Sequence, residues 1–469
     1  MNKLYGLSIR HILFLSSFTL AVFLPIELIA GWEDYTPRAI NSFANPGIVN
    51  AHANSGGRRI VRIKDTTIVI CPHGTGERTY RSINNGSTWE EIDADGTYSG
   101  CLITGPGEMV YHFYRDVDNV YMVKFKYNET PPPPVVIFTH PDLSETSTGV
   151  YRALNAIVGP NGEIFVAIHW GVPDQLFLIR SEDRGSSWSG PYQISFGNGP
   201  WYYPHLEVTR DNVLVCVYAI FGDGGKDIWF AKSYDKGATW TRSLISRNNT
   251  ANPSLLTVGS NKCFVFAQSS ETAHKGLVYA YSNDLGDTWT SWQLIDPTCG
   301  YADPSPGLGS DGKTIYVAYR SSNGTGITTG TCGDMCRSRV AMSPDLGATW
   351  TFVDDYYEGE RVGTRSQIRY QTWWNYGGPL EWIWMQYVNG GTSTPIYYDM
   401  NQDVQIYNQN GQPGDTNGDG KIDLQDVVTS LRIMTQISTT ADPTGDVNGD
   451  RIIGLEEAIY ALQSVAGLR

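Results

Sequence analysis

The chain has 469 residues, a formal net charge of −14, and 41% hydrophobic and 12% aromatic residues. That length is more than one small core needs and suits one large repeat domain with an appendage. The acidic balance, with no basic stripe, excludes nucleic-acid binding, which requires a basic footprint.

At the start, Lys3, Arg10 and His11 precede the apolar run Ile12–Leu24 and then Leu28-Ile-Ala30. Residues 1–30 read as a secretory signal peptide cut after Ala30, with an uncleaved anchor as the alternative. Pro25 and Glu27 interrupt the run where a membrane span would have to continue, so no span is expected after cleavage. The expected location is outside the cytoplasm: extracellular, periplasmic or at the cell surface. Export permits disulfides, and seven cysteines, an odd number, leave at least one without a partner in the chain.

Residues 31–408 carry short alternating runs, many Gly, Tyr and Trp, and almost no helical periodicity, so this region is all-β. Strand runs recur at Thr67–Ile70, Met109–Phe113, Ile164–Ile168, Val213–Val217, Cys263–Phe266, Ile315–Ala318 and Trp382–Met385. A preceding strand starts near Arg59, Cys101, Arg152, His205, Pro253, Pro304 and Arg365. Cys216 and Cys263 fall inside apolar runs and read as packed thiols. A pattern Ser-x-Asp-x-Gly-x-Thr/Ser-Trp appears at Ser82–Trp89 (with Asn84 for the Asp), Ser181–Trp188, Ser233–Trp240, Ser282–Trp289 and Ser343–Trp350. Each copy follows a strand run and reads as a hairpin turn. The Asp accepts from turn N–H groups, the Gly takes a conformation closed to other residues, and the Trp seals the turn. The second repeat has Pro131–Pro134 where a copy is due.

This motif resembles the Asp box, or BNR repeat, of the sialidase-superfamily β-propellers, over roughly residues 40 to 408. The resemblance implies a β-propeller, with seven blades favoured over six; terminal strands completing a shared blade are the alternative. Asp boxes lie away from the active site in that superfamily, so their Asp residues are poor catalytic candidates. On a propeller, Cys299 falls at the same end of the same blade as Cys332 and Cys336, and one disulfide is expected there.

In such a propeller the face opposite the boxes is the functional one. It would gather His73, Arg58, Arg59, Arg115, Arg152, His169, Trp170, Trp201, Tyr202, His205, Asp223, Asp303, Arg320, Arg365 and Tyr370. Polar groups between aromatic walls suit a sugar. Substrate binding is assigned to Arg59, Arg152, His169, Trp170, Trp201, Tyr202, His205, Arg320, Arg365 and Tyr370. A true sialidase would imply Arg-Ile-Pro at the first inner strand, three carboxylate-binding Arg residues, an Asp acid/base and a Tyr nucleophile paired with a Glu. This chain has Arg59-Ile-Val-Arg62 with no Pro, and Arg369-Tyr370 with no matching Glu. A hydrolase using Asp303 and Asp223 as paired carboxylates therefore stands ahead of an exo-sialidase. The expected function is glycoside hydrolysis in polysaccharide catabolism; a non-catalytic glycan-binding or assembly propeller is the alternative.

Residues 409–414 form a short linker, and residues 415–469 a small helical domain. Asp415, Asn417, Asp419, the Lys421 carbonyl, Asp423 and Asp426 match a calcium loop. Asp446, Asn448, Asp450, the Ile452 carbonyl and Glu457 match a second, so two Ca²⁺ sites are expected. A helix follows each loop, one with Leu424, Val427, Val428, Leu431 and Met434 on a face, the other with Leu455, Ile459, Leu462 and Val465. Duplicated loop-helix segments resemble a dockerin, which implies a cohesin-like partner. Loop positions 10 and 11 here are Leu424-Gln425 and Leu455-Glu456, where cohesin-binding dockerins often carry a Ser/Thr pair.

Overall fold

The computed structural model describes residues 38–42, 58–73, 76–96, 100–116, 118–144, 154–170, 175–196, 204–222, 225–247, 250–272, 274–297, 303–322, 336–356, 367–368, 378–385, 395–405, 414–416, 422–435, 445, 447, 453–466 and 468. Their strands form an all-β propeller built from seven four-stranded antiparallel sheets. Sheet 1 is Ile60–Ile63, Thr66–His73, Gly76–Ser82 and Glu90–Gly96. Sheet 2 is Cys101–Gly105, Met109–Arg115, Asn119–Lys126 and Val135–Thr139. Sheet 3 is Leu154–Val158, Ile164–Trp170, Gln175–Ser181 and Ser189–Gln193. Sheet 4 is His205–Val208, Leu214–Gly222, Gly225–Ser233 and Thr241–Ser246. Sheet 5 is Thr250–Val258, Lys262–Ser269, Gly276–Ser282 and Gln293–Asp296. Sheet 6 is Ser305–Leu308, Ile315–Ser322, Cys336–Ser343 and Thr351–Tyr356. Sheet 7 joins Gln367–Ile368, Pro379–Met385 and Pro395–Gln405 to the early strand Arg38–Ser42, which pairs antiparallel with Pro395–Gln405. A strand from near the start of the chain thus completes the sheet made by its end.

The first strands of successive sheets are neighbours around the axis. In sheets 1 to 6 they are buried along their whole length, polar residues such as Asn155, His205 and Glu207 included. The core lies between sheets, for example where Ile157, Leu178 and Leu206 meet Tyr218 and Trp240. Among the described residues no helix is long and apolar enough to cross a membrane. Cys216 and Cys263 are buried cysteines, as are Cys71 and Cys101. Cys299, Cys332 and the side chain of Cys336 lie outside the described residues.

The repeated turns show why the motif has its composition. In the turn of sheet 4 the Ser233 hydroxyl accepts from the Gly237 N–H at 2.7 Å, and Asp235 accepts from the Thr239 N–H at 2.8 Å and the Thr239 hydroxyl at 2.6 Å. The same bonds recur at Ser181–Ser187, Ser282–Thr288 and Ser343–Thr349. Hydroxyl donors, Ser187, Thr239 and Thr288, are foremost in holding the carboxyls of Asp183, Asp235 and Asp284 down at about 2. Gly237 has φ +85°, and a Cβ there would sit 2.0 Å from Leu178 Cδ2 of sheet 3. Gly86 has φ +75° and abuts Tyr398 of sheet 7 in the same way. Only glycine satisfies both constraints.

The Trp side chains seal their own turns, Trp240 and Trp289 donating to the Gly237 and Gly286 carbonyls at 3.0 and 3.2 Å, and also close the gap to the preceding sheet. Trp188 meets Phe113, Trp289 meets Phe230, Trp350 meets Phe266, and Trp89 meets Tyr398. In return, a basic residue near the end of the third strand in sheets 1 to 4 grips the next sheet's turn. Arg180 donates to the Asp235 and Lys236 carbonyls, Lys124 to the Arg184 carbonyl, and Lys232 to the Asp287 carboxylate. Arg81 does the same to the carbonyls of Tyr127 and Glu129, in the turn that leads into the four prolines. We expect Ser233→Ala to lower stability by about 2 kcal/mol, since the buried Gly237 N–H loses its acceptor. The midpoint of urea unfolding measures this, and an unchanged midpoint would contradict it.

The C-terminal helices are α1, Leu424–Met434, and α2, Leu455–Val465. Their shared core is small: Val427, Ala458 and Ala461, with Ile422 packed against it. The expected apolar faces are otherwise turned outward, with Leu424, Val428, Leu431 and Met434 on α1, and Leu455, Ile459, Leu462 and Val465 on α2, all exposed. The buried core between the helices is made mostly of small residues, while the larger apolar ones stay about half exposed.

Candidate functional site

In each sheet the first and third strands run in the same direction, and in the five sheets that carry a box the turn follows the third. First-strand starts therefore lie on the face opposite the boxes, and chain order alone fixes this. On that side, Arg58 reaches from the entry of sheet 1 across the axis. It donates to the Asn155 side chain at 3.0 Å and the Ala156 carbonyl in sheet 3, and to the Leu206 carbonyl at 2.6 Å and Glu207 at 2.8 Å in sheet 4. Asn155 also accepts from the Leu206 N–H at 2.9 Å. His205 Nδ1 accepts from the Leu255 N–H of sheet 5 at 2.8 Å, while its Nε2 lies 3.4 Å from Glu207. Four sheets are joined by one buried polar cluster that fills the centre of the ring.

His205 is wholly buried and its Nδ1 serves as acceptor, so the imidazole is neutral. Burial, foremost, pushes its pKa down from 6.5 to about 4. A base with a depressed folded pKa binds its proton more readily when unfolded, so stability falls as pH drops from 6.5 towards 4. We expect this residue to contribute a loss of roughly 3 kcal/mol across that window. His205→Gln should flatten the acid side of the stability profile; an unchanged slope would contradict the assignment.

Nearer the mouth, Asn252 donates to Asp303 Oδ1 at 2.7 Å. Asn252 has φ 54° and Asp303 φ 44°, and both precede a proline, a position that favours extended backbone. Such geometry is costly and persists where surroundings impose it, which is common at functional sites. Both side chains are almost fully buried. The partly buried Lys226 of sheet 4 lies within the field of Asp303; burial lowers its pKa, and the Asp303 charge opposes that shift. The amide and the carboxylate are thus brought together from adjacent sheets.

The remaining expected residues divide. Arg115 donates to the His169 and Leu143 carbonyls and is buried. His169 is also buried, and Trp170 stacks on Phe177 at 4.1 Å. Trp170, expected in the sugar-binding wall, instead packs between sheets 2 and 3 against Phe138 and Phe177. His205 likewise faces the internal cluster, and Arg59 is buried at the entry of sheet 1, its carbonyl accepting from the Ile70 N–H at 2.9 Å. Arg320 sits in sheet 6 opposite Ser338. Asp223, Arg152, Trp201, Tyr202, Arg365 and Tyr370, and the side chain of His73, lie outside the described residues. Sequence reasoning missed Asn155, Glu207, Lys226 and Asn252. The repeated Ala-Asn-Pro-Ser at 251–254 and Ala-Asp-Pro-Ser at 302–305 was the available signal for the Asn252 and Asp303 pair.

In the C-terminal segment, Asp426 accepts from the Thr416 N–H at 2.9 Å and the Asp423 N–H at 2.8 Å. Glu457 accepts from the Val447 N–H at 3.2 Å and the Gly454 N–H at 2.7 Å, the corresponding positions. Asp415, Asp426 and Glu457 are buried, and buried carboxylates suit a cation as neighbour. Among the described residues no group of three or more acidic, His or Cys side chains could hold a metal. Asn417, Asp419, Lys421, Asp446, Asn448, Asp450 and Ile452 lie outside them.

A family model, the BNR repeat-like domain, matches residues 156–305. The comparison with curated proteins finds no match. Among solved structures, an ulvan lyase of polysaccharide lyase family PL25 is 11% identical, with TM-score 0.54 over 78% of this chain and 96% of that one. The PL25 ulvan lyase bound to -[GlcA(1-4)Rha3S]- gives 10% identity and TM-score 0.53 over 78% and 95%. The Hadza microbial sialidase Hz136 gives 15% identity and TM-score 0.43 over 70% and 74%. At these identities the likeness to the ulvan lyases is one of fold alone.

Proposed function

We propose that this protein is a secreted, carbohydrate-directed propeller that cleaves glycosidic bonds of polysaccharides on the face opposite its box turns. The seven sheets are read as seven blades. The observation that carries the proposal is the strained Asn252 and Asp303 pair beside Lys226 at the mouth of the ring. In the hydrolase reading Asp303 and Asp223 act as paired carboxylates. A second reading, elimination at a uronic acid, is favoured by Lys226, since lowering its pKa makes a neutral amine base more accessible. The fold likeness to an ulvan lyase is compatible with either. The tail is read as a calcium-dependent, dockerin-like module whose two loops hold one Ca²⁺ each.

The test is incubation of the full chain with ulvan, other uronate-rich polysaccharides, neutral polysaccharides and sialosides. New reducing ends are expected, and they should disappear in Asp303→Asn while folding is kept. Ultraviolet absorbance of an unsaturated uronate among the products selects elimination over hydrolysis. Binding to glycans without release of any product would instead establish the lectin alternative.

A further inference from the structure

The C-terminal helix pair carries two apolar stripes with matching positions. Leu424, Val428, Leu431 and Met434 on α1 correspond to Leu455, Ile459, Leu462 and Val465 on α2, at spacings that line one side of each helix. They are 44% to 58% exposed. The match follows from an internal duplication. Asp426 and Glu457 accept from equivalent backbone N–H groups, and the Gly414 N–H donates to the carbonyl of its counterpart Gly445 at 2.8 Å.

We infer that a second copy of this chain covers these stripes, so that two tails pair through α1 of one copy against α2 of the other. The first argument is area. With ordinary side-chain sizes the eight residues of the two stripes leave on the order of 700 Å² of apolar surface. Burying that on both copies reaches about 1,400 Å² in total, within the size class of stable specific interfaces. The second argument is charge. Exposed Arg432 borders the α1 stripe four residues after Val428, and exposed Glu456 borders the α2 stripe three residues before Ile459. Setting α1 on the partner's α2 brings each arginine to the other copy's glutamate, twice over in a two-fold contact. The inference does not depend on the polysaccharide reading.

Sedimentation equilibrium of the full chain in calcium should show a reversible dimer. Val428→Lys and Ile459→Glu, both at exposed positions, should each weaken self-association on the order of 100-fold. Mixing the two variants should restore pairing between unlike copies, because the introduced lysine then faces the introduced glutamate. Helicity and melting of both variants check that they fold, and Leu431→Ser provides a further uncharged test of the stripe. A chain that stays monomeric at every concentration, because its own propeller or a foreign partner such as a cohesin takes the face, overturns the inference. So does a dimer that is indifferent to all three substitutions.

Discussion

Arg58→Ala should lower stability by about 4–5 kcal/mol, the largest effect expected of any single substitution in the ring. The guanidinium is buried and bonds to Asn155, two carbonyls and Glu207 in two other sheets. Removing it leaves Glu207 as a buried charge close to a neutral His205, with two inner-strand carbonyls losing a donor. Arg58→Met combined with Glu207→Leu removes both charges and should recover much of the loss, because the cost lies mainly in the orphaned partner. Urea unfolding of the two single variants and the double variant measures the coupling. A single-variant cost below about 1 kcal/mol would show that the cluster fills the centre without holding it.

Glu381→Ala should cost about 4 kcal/mol and act at the seam of the ring. Glu381 of sheet 7 is fully buried and accepts from Arg62 of sheet 1 at 2.9 Å, from the Thr67 hydroxyl at 2.5 Å and from the Tyr398 hydroxyl at 2.7 Å. Arg62 also donates to Asn85 in the first box turn at 2.7 Å, so one arginine joins the seam to the turn beside it. Sheet 7 borrows Arg38–Ser42 from the early part of the chain, which makes this junction the place where the two ends of the propeller are held. Hydrogen exchange should show the loss first in sheets 1 and 7, before sheets 3 to 5 open. Uniform loss of protection around the ring would instead place the weak point elsewhere.

The site was only partly legible before folding. Asp303 and His205 were identifiable because both stand at inner-strand starts, and strand starts follow from the repeat. Their roles were not. His205 turns inward to Leu255 and Glu207, whereas Asp303 pairs with Asn252 near Lys226, and nothing in the local sequence distinguishes an inward from an outward direction. Arg58 and Glu207 are 149 positions apart and meet only because the ring brings sheets 1 and 4 to a common axis. Trp170 was read as part of a sugar-binding wall from its place on the face opposite the boxes and its aromatic type, and its stacking on Phe177 is a property of the hairpin between sheet 3's second and third strands.

By itself the sequence determined the all-β propeller, the strands, the face on which the box turns sit and the duplication in the tail. Each of these rests on local, repeated chemistry: alternation along a strand, a glycine held at positive φ, a carboxylate accepting from its own turn. The tertiary structure alone decided the partners of those elements. The box Trp packs on the preceding sheet, the early strand Arg38–Ser42 completes the last one, and the tail helices meet through Val427, Ala458 and Ala461 while their larger apolar residues face outward. The physical reason is that burial depends on which surfaces come together across long chain separations. Hydrophobic periodicity shows that a helix or strand has an apolar side, and only packing determines what, if anything, covers it.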